Sequence, residues 1–242
     1  MPIVTTTDIT VIAPCYNELD NLVPLIDEIY AVLSKTGRSF EILYVDDHSN
    51  DGTTEKLDSL VTERDYLRVV HHNNNYGESA GNLTGFANAR GRLVFTIDAD
   101  LQNDPADMPE MIRILEEEHL DCVTGVRRKR EDSITKRISS RTANFVRGSL
   151  LHDNIHDAGC TYRVMRAEAL CGLPSFKALH RFLPSILQWH GYKVKEMLVN
   201  DRRRKFGKSK YGIGNRLWVG IYDMFAMRWY RRRFLPPHRV DE

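Results

Sequence analysis

Asp98, Asp100 and Gln102 stand within five residues, directly after the apolar and β-branched run Val94-Phe95-Thr96-Ile97. An extended chain points alternate residues the same way, so this spacing predicts two carboxylates on one side of a strand end. Carboxylate and amide oxygens are hard donors. They suit Mg²⁺ or Mn²⁺, above all when phosphate oxygens complete the shell. A solvated turn with two incidental acids is the plain alternative. Two more apolar runs end in the same way. Ile9 to Pro14 stops at Cys15-Tyr16-Asn17-Glu18, and Phe40 to Val45 stops at Asp46-Asp47. A different chemistry lies near the end of the chain. Arg202 to Tyr211 holds six cations, one glycine and one serine, a run able to close over a diphosphate. Nucleic acid is the competing partner for such a run, but no nucleic-acid-binding motif accompanies it. His152 to Asp157 carries two histidines and two aspartates without the spacing of a zinc site.

The elements that must position these residues follow from periodicity. Ile9–Pro14 reads as a first strand. A helix capped by Asp20 or Asn21 follows, with Leu22, Leu25, Ile26, Ile29 and Leu33 on one stripe and Gly37 at its end. Strand 40–45, a helix after Thr53, and strand 67–70 come next. Gly77, Gly81 and Gly85 fall on one face of the following helix, which Gly91 ends. The spacing favours close backbone packing over a phosphate cradle, since neither a Gly-x-Gly-x-x-Gly nor a Walker lysine is present. Asp104-Pro105 starts a further helix, its acid at the favourable end of the dipole. Residues 120–125 and 192–199 read as strands, 157–164 as a turn entering a strand and 167–171 as helical, and His180 to Pro184 leads into a short helix through Trp189. Alternating strands and helices predict a mostly parallel α/β sheet covered on both faces. Ligands of such sheets bind beyond the carboxyl ends of the strands, where the acidic motifs stand.

Composition separates the chain into two chemistries. The 242 residues carry a net charge of +1, but residues 1–120 hold 8 Lys/Arg against 22 Asp/Glu, and residues 121–242 hold 26 against 11. The acidic half suits a metal, the basic half phosphates or an anionic surface. No apolar run approaches the roughly 20 residues that span a bilayer, and the N-terminal residues are read as carrying no secretion signal. Four scattered cysteines without a Cys-x-x-Cys imply free thiols in a reducing compartment. Residues 135–151 form an amphipathic pattern with a basic side, either a solvated surface helix or one lying on an anionic membrane. Residues 216–233 alternate apolar residues with Trp218, Tyr222, Trp229, Tyr230 and a run of arginines, the composition of a membrane–water interface.

Three ordered motifs, Val11–Glu18, Val45–Thr53 and Ile97–Pro105, together resemble the family 2 inverting glycosyltransferases of the GT-A (Rossmann-like) fold. Asp98-Ala99-Asp100-Leu101-Gln102, Gly159-Cys160-Thr161-Tyr162-Arg163 and Arg204-x-x-Gly207-x-Ser209-Lys210 are similar to the polyprenyl- and dolichyl-phosphate hexose transferases within that family. The resemblance implies a GT-A domain over residues 1–211 and a basic amphipathic C-terminal segment over 212–242. It implies a nucleotide-sugar pocket of Pro14, Tyr16, Asn17, Glu18, Asp47, Gly77, Asp98 and Asp100. Asp100 and Gln102 would hold Mg²⁺ or Mn²⁺. Arg204, Ser209 and Lys210 would close over the phosphates, and Arg127, Arg137 and Arg141 would meet the lipid phosphate. Two positions depart from many members: Glu78 stands where a basic residue or glutamine is common, and Arg92 where an acid is common.

The expected activity is transfer of a hexose from a nucleotide-diphosphate sugar to a polyprenyl phosphate at the cytoplasmic face of a membrane. The chain would be peripheral there, without nucleic acid. An integral-membrane partner or a second copy of the chain would be compatible with it. Asp100, Asp157 and Arg204 are the expected catalytic residues. A phosphate acceptor needs no strong base, since its second pKa is about 6. The same fold acting on a saccharide hydroxyl would need one, and Asp157 is then the candidate. A non-catalytic lipid- or nucleic-acid-binding protein is the rival of another class, and the intact Asp98, Asp100 and Gln102 argue against it.

Overall fold

The structure is a computed structural model, and it describes residues 7–127, 148, 151, 153, 155–202 and 216–235. Seven strands form one sheet: β1 (Thr7–Cys15), β2 (Phe40–Asp46), β3 (Leu67–His71), β4 (Gly91–Thr96), β5 (Cys122–Arg127), β6 (Arg163–Arg166) and β7 (Val194–Val199). The helices are α1 (Leu19–Leu33), α2 (Thr53–Glu63), α3 (Glu78–Asn88), α4 (Met108–Glu117), α5 (Leu179–Trp189) and α6 (Arg216–Arg233).

Spatial strand order is β3-β2-β1-β4-β6-β5-β7. The strands run parallel except β6, which lies antiparallel between β4 and β5. The chain steps outward from β1 to β3, then returns to place β4 on the other side of β1. That reversal opens a crevice beyond the carboxyl ends of β1 and β4, where sheets of this kind bind ligands.

Strand alternation divides the core in two. Ile9, Val11 and Ala13 of β1, Ile42 and Tyr44 of β2, and Leu93 and Phe95 of β4 pack with α1, α2 and α4 on one face. Ile12, Leu43, Val45 and Val94 turn to the other face and meet Phe86 of α3 and Leu183 and Leu187 of α5. Burial of each Val, Leu, Ile or Phe among these contributes about 1.5–3 kcal/mol. A third cluster joins Leu179, Phe182 and Ile186 of α5 to Met227 of α6, which docks the C-terminal helix on the body of the fold.

Gly81 and Gly85 do what their spacing implies. A Cβ at Gly81 would lie 2.9 Å from Pro14 Cβ, and one at Gly85 2.4 Å from Ile12 Cγ2, so α3 rests directly on β1. Gly77 acts differently: it sits before α3 at φ +87°, a conformation open to glycine without strain.

Three sequence expectations are corrected. α1 begins at Leu19 after Glu18, so Asp20 and Asn21 lie inside its first turn rather than capping it, and Asn21 donates to Glu18 Oε2 at 2.6 Å. Gly91 does not end α3, which stops at Asn88; it opens β4 against the backbone of β1. Strand β4 ends at Thr96, so a turn and not strand alternation brings Asp98 and Asp100 together.

Candidate active site

The ends of β1 and β2 are tied into one surface. Asn17, at φ 53°, donates its backbone N–H to Ser49 Oγ (2.9 Å), while its side chain exchanges two hydrogen bonds with Asn50. The Glu18 N–H donates to Thr53 Oγ1 at 3.0 Å. Pro14 and Tyr16 complete the β1 end, both half-buried. The paired aspartates after β2 differ in task. Asp46 accepts from Ser49, Thr54 and His71. Burial pushes its carboxyl up, but those hydrogen bonds outweigh burial and hold it below the usual carboxylate range. Asp47 accepts from the backbone N–H groups of Tyr76 (2.9 Å) and Gly77 (2.7 Å) and contacts His72 Nδ1 at 2.7 Å. It thereby fixes the loop that leads into α3.

A cleft of about 760 Å³ opens beside this surface. Its lining includes Gly77, Glu78 and Ser79 from the start of α3, and Asp98, Thr161 and Arg127 from the strand ends. Lys177, His180 and Arg181 at the start of α5 and Asp223 of α6 also border it. Asp98 accepts from Thr161 Oγ1 at 2.6 Å, and its backbone N–H donates to Asn103 Oδ1 at 3.2 Å. Burial and then the charge of Asp100 raise the Asp98 carboxyl, against the opposing pull of Thr161, Arg127 and Arg163. Glu78 is pushed up to about 7, by burial first and then by Asp98, with Asp100 adding to it. Three carboxylates thus converge on one crevice and repel one another.

That arrangement fits a divalent cation. The donors are hard oxygens, and their mutual repulsion is what a cation relieves. Among the described residues no group of three or more His, Cys, Asp or Glu is placed to hold a metal ion by itself. An open half-shell of this kind suits an ion whose other ligands are phosphate oxygens. Asp100 is buried, and its Oδ1 accepts the Gln102 N–H at 3.1 Å. Gln102 is stitched to residue 202: its carbonyl accepts the Arg202 N–H at 2.8 Å, and its Nε2 donates to the Arg202 carbonyl at 3.3 Å. The basic run therefore begins beside the turn that carries Asp100 and Gln102. Arg202 itself is not available to a diphosphate, since its guanidinium pairs with Glu28 and Asp104. Arg204, Ser209, Lys210, Arg137 and Arg141 lie outside the described residues, as does most of the amphipathic segment 135–151.

This electrostatic layout predicts a pH effect. Between the ordinary carboxyl range and about 7 the folded state holds more protons on Glu78 than the unfolded chain does, and the raised Asp98 acts in the same direction. These groups therefore make stability fall as pH rises through that window. A cation bound by the deprotonated carboxylates reverses the loss. The increase in Tm on adding Mn²⁺ is expected to be several degrees larger at pH 8 than at pH 5. Equal increments at the two pH values in a thermal unfolding series would refute the assignment.

Arg127 and Asp157 meet each other. The Arg127 Nε and Nη2 donate to the two carboxylate oxygens at 2.9 and 2.8 Å, and its backbone N–H adds a third bond at 3.2 Å. Burial would raise Asp157, but the guanidinium outweighs burial and keeps it below its ordinary value. Arg163 of the Gly159–Arg163 motif is wholly buried. It donates to Thr124 Oγ1, the His180 carbonyl and the Cys160 carbonyl, all uncharged, and leaves a fixed positive charge beneath Asp98 and Glu78. His180 places Nδ1 2.8 Å from Ser79 Oγ and Nε2 3.5 Å from Glu78. Burial and the nearby arginines push it down to about 3, so it is neutral. Ser79, Lys177, His180, Arg181 and Asp223 carried no signal of their own in the sequence. Thr161 and Arg163 were reachable through the Gly159–Arg163 motif.

The chain is similar to known proteins in sequence and in fold. The model of the Glycosyl transferase family 2 matches residues 10–172. Dodecaprenyl-phosphate galacturonate synthase of Rhizobium johnstonii is 33% identical over 235 residues, covering 93% of this chain and 68% of that protein. Undecaprenyl-phosphate 4-deoxy-4-formamido-L-arabinose transferase of Yersinia pestis is 31% identical over 219 residues, covering 90% and 66%. The chain thus spans about two thirds of the length of these relatives. Among solved structures, glucosyl-3-phosphoglycerate synthase from Mycobacterium tuberculosis with Mn²⁺, uridine diphosphate and glucosyl-3-phosphoglycerate superposes with a TM-score of 0.70 at 16% identity, covering 93% of this chain and 80% of that one. A mannosyltransferase from Pyrobaculum calidifontis with GDP-mannose and Mn²⁺ gives 0.63 at 17% identity, covering 98% and 69%. At that identity the likeness establishes the fold.

Proposed function

Because the chain belongs to glycosyl transferase family 2, with the GT-A fold, we propose that it moves a hexose, with inversion, from a nucleotide-diphosphate sugar to the phosphate of a polyprenyl carrier at a membrane surface. One observation carries the choice of acceptor. Asp157, the candidate base for a hydroxyl acceptor, has both carboxylate oxygens engaged by Arg127 and is held ionised by it. A phosphate monoester is already largely ionised at neutral pH, its second pKa being about 6, and needs no such base. The names of the two relatives above support the same acceptor class.

In this reading Pro14, Tyr16, Asn17, Glu18 and Asp47 form the nucleotide side, with Gly77 at its edge. Asp100 and Gln102 hold Mg²⁺ or Mn²⁺, which offsets charge on the departing diphosphate. Asp98 faces the donor from the cleft floor. Arg204, Ser209 and Lys210 belong to the phosphate-closing loop, and Arg137 and Arg141 to the lipid side. Arg127 serves there through its pair with Asp157, as an orienting unit.

Residues 1–211 carry the transferase fold and 212–242 the membrane-facing segment. No helix among the described residues is long and apolar enough to cross a bilayer. On α6, Tyr222, Phe225 and Trp229 are exposed at helical spacing and lead to exposed Arg232 and Arg233. Aromatic rings beside arginines suit the headgroup region of an anionic membrane, on the cytoplasmic face. Replacing Phe225 and Trp229 together by glutamate is expected to lower association with anionic vesicles at least about tenfold in sedimentation assays. Undiminished binding would remove α6 from this role.

The reading is tested with Mn²⁺, a panel of labelled nucleotide sugars and a short polyprenyl phosphate. Label is expected in the organic phase. None across the panel, from protein shown to bind nucleotide, would overturn the lipid acceptor.

A second reading has one observation in its favour: Glu78, in the cleft and near neutrality, could act as base for a saccharide hydroxyl. A cation at Asp100 would weaken it by lowering the Glu78 pKa. Glu78→Gln separates the two: a hydroxyl acceptor would lose transfer by about 10²-fold or more, whereas a phosphate acceptor retains it within severalfold.

A further inference from the structure

Two cations in the cleft have no partner among the described residues. Lys177, exposed, and Arg181, half-buried, border the cavity at the start of α5, and neither side chain makes a hydrogen bond or ion pair there. The third cation of the lining, Arg127, is spent on Asp157. Arg181 lies within the electrostatic reach of Glu78 and Asp223, yet closes on neither. A guanidinium left with its donors open in a concave site suits a tetrahedral oxyanion, and a lysine beside it adds a point charge.

Position decides which anion. The donor's diphosphate belongs with Asp100 and Gln102 at the end of β4. Lys177 and Arg181 stand instead at the α5 edge, where α6 packs through Met227 against Leu179, Phe182 and Ile186. The opposite side of α6 presents Tyr222, Phe225 and Trp229 outward. Asp223 of the same helix borders the cleft, and one of its carboxylate oxygens is buried without a hydrogen-bond partner. The cation pair therefore lies between the donor turn and the helix with the aromatic face. We infer that Arg181 and Lys177 bind the phosphate of the isoprenyl acceptor, as a subsite distinct from Arg127 and from the basic run after Arg202. The inference rests on the phosphate-acceptor reading given above.

In the transfer, a phosphate oxygen bonds to the anomeric carbon as the bond from that carbon to the diphosphate oxygen breaks. The electron pair leaves with the nucleoside diphosphate, and no proton need move. Arg181 and Lys177 hold the attacking phosphate without taking its charge.

The test uses the full chain with Mn²⁺, a nucleotide sugar that it transfers and a short isoprenyl phosphate. Arg181→Gln is expected to raise the acceptor KM about tenfold or more and Lys177→Gln about threefold, as loss of a charge-assisted hydrogen bond and of a point charge respectively. Donor KM and the Kd for nucleoside diphosphate stay within twofold, and Arg181→Lys recovers part of the loss. An unchanged acceptor KM overturns the inference. A rise in donor KM alone overturns it too, and assigns the cations to the donor. Calorimetry without donor keeps the subsite testable apart from activity: wild type is expected to bind the isoprenyl phosphate more tightly than the matching isoprenol, and Arg181→Gln to lose that difference. Should wild type transfer no sugar to any isoprenyl phosphate, the functional reading falls. Calorimetry then decides the subsite by itself. An equal Tm for each variant shows that the fold is retained.

Discussion

Asp100→Ala is expected to reduce kcat/KM about a thousandfold while the protein remains folded. Removing a preorganised charge at a developing diphosphate costs about 10²–10³ in rate, and loss of a cation along with it puts the effect at the upper end. Stability should behave otherwise. Asp100 is buried, and its charge raises the carboxyl of Asp98, so the two repel in the absence of a cation. Deleting one removes that repulsion, and the Tm of the metal-free variant is expected to equal or exceed wild type. Asp100→Asn keeps the shape and the acceptor for the Gln102 N–H, and isolates the charge. The Mn²⁺-induced rise in Tm should vanish in both variants. Transfer within tenfold of wild type at saturating Mn²⁺ would remove Asp100 from the metal site.

The largest effect on stability is expected at Gly91. A Cβ there would stand 2.3 Å from the Thr10 backbone nitrogen and 2.6 Å from the Ile9 carbonyl carbon. Both belong to β1, a central strand, so neither can swing aside as a side-chain tip could. The Gly91 N–H donates to Thr10 Oγ1 at 2.8 Å, and Thr10 Oγ1 in turn donates to Glu41 Oε1 at 2.7 Å. Gly91→Ala must push β4 from β1 and loosen this buried chain. The cost is expected to be about 3 kcal/mol, the upper end for overpacking, or roughly 6–12 °C in Tm for a chain of this size. Gly172→Ala makes a useful comparison, because a Cβ there meets nothing and only its φ of +72° is strained. A Tm for Gly91→Ala within 2 °C of wild type would show that the strand contact is not as close as described.

Gly91 also marks where local reading stops. In sequence it looks like the end of a helix, because a glycine after an amphipathic stretch commonly is one. Its need is set by Thr10, 81 positions away. The same limit applies to Asp157. As an isolated acid before a strand it was a fair candidate base. Arg127, thirty residues earlier, engages both its oxygens, a contact that no local reading of the sequence reveals. Asp46 and Asp47 are adjacent and chemically alike, but strand β2 ends between them, so that one meets the start of α2 and the end of β3 and the other the α3 loop.

What the sequence determined by itself is what near neighbours determine. Apolar periodicity set the succession of strands and helices, and the polar residues just past Pro14, Val45 and Ile97 marked the crevice end of the sheet, because strand direction and side-chain alternation are local properties. The tertiary structure decided the rest. It inserted β6 antiparallel between β4 and β5, brought Glu78, Asp98 and Arg163 into one electrostatic unit, and set α5 and α6 at the edge of the cleft with Lys177, Arg181 and Asp223. These depend on chain reversals and on burial, which remove water from between distant charges, and neither is written into any single stretch of residues.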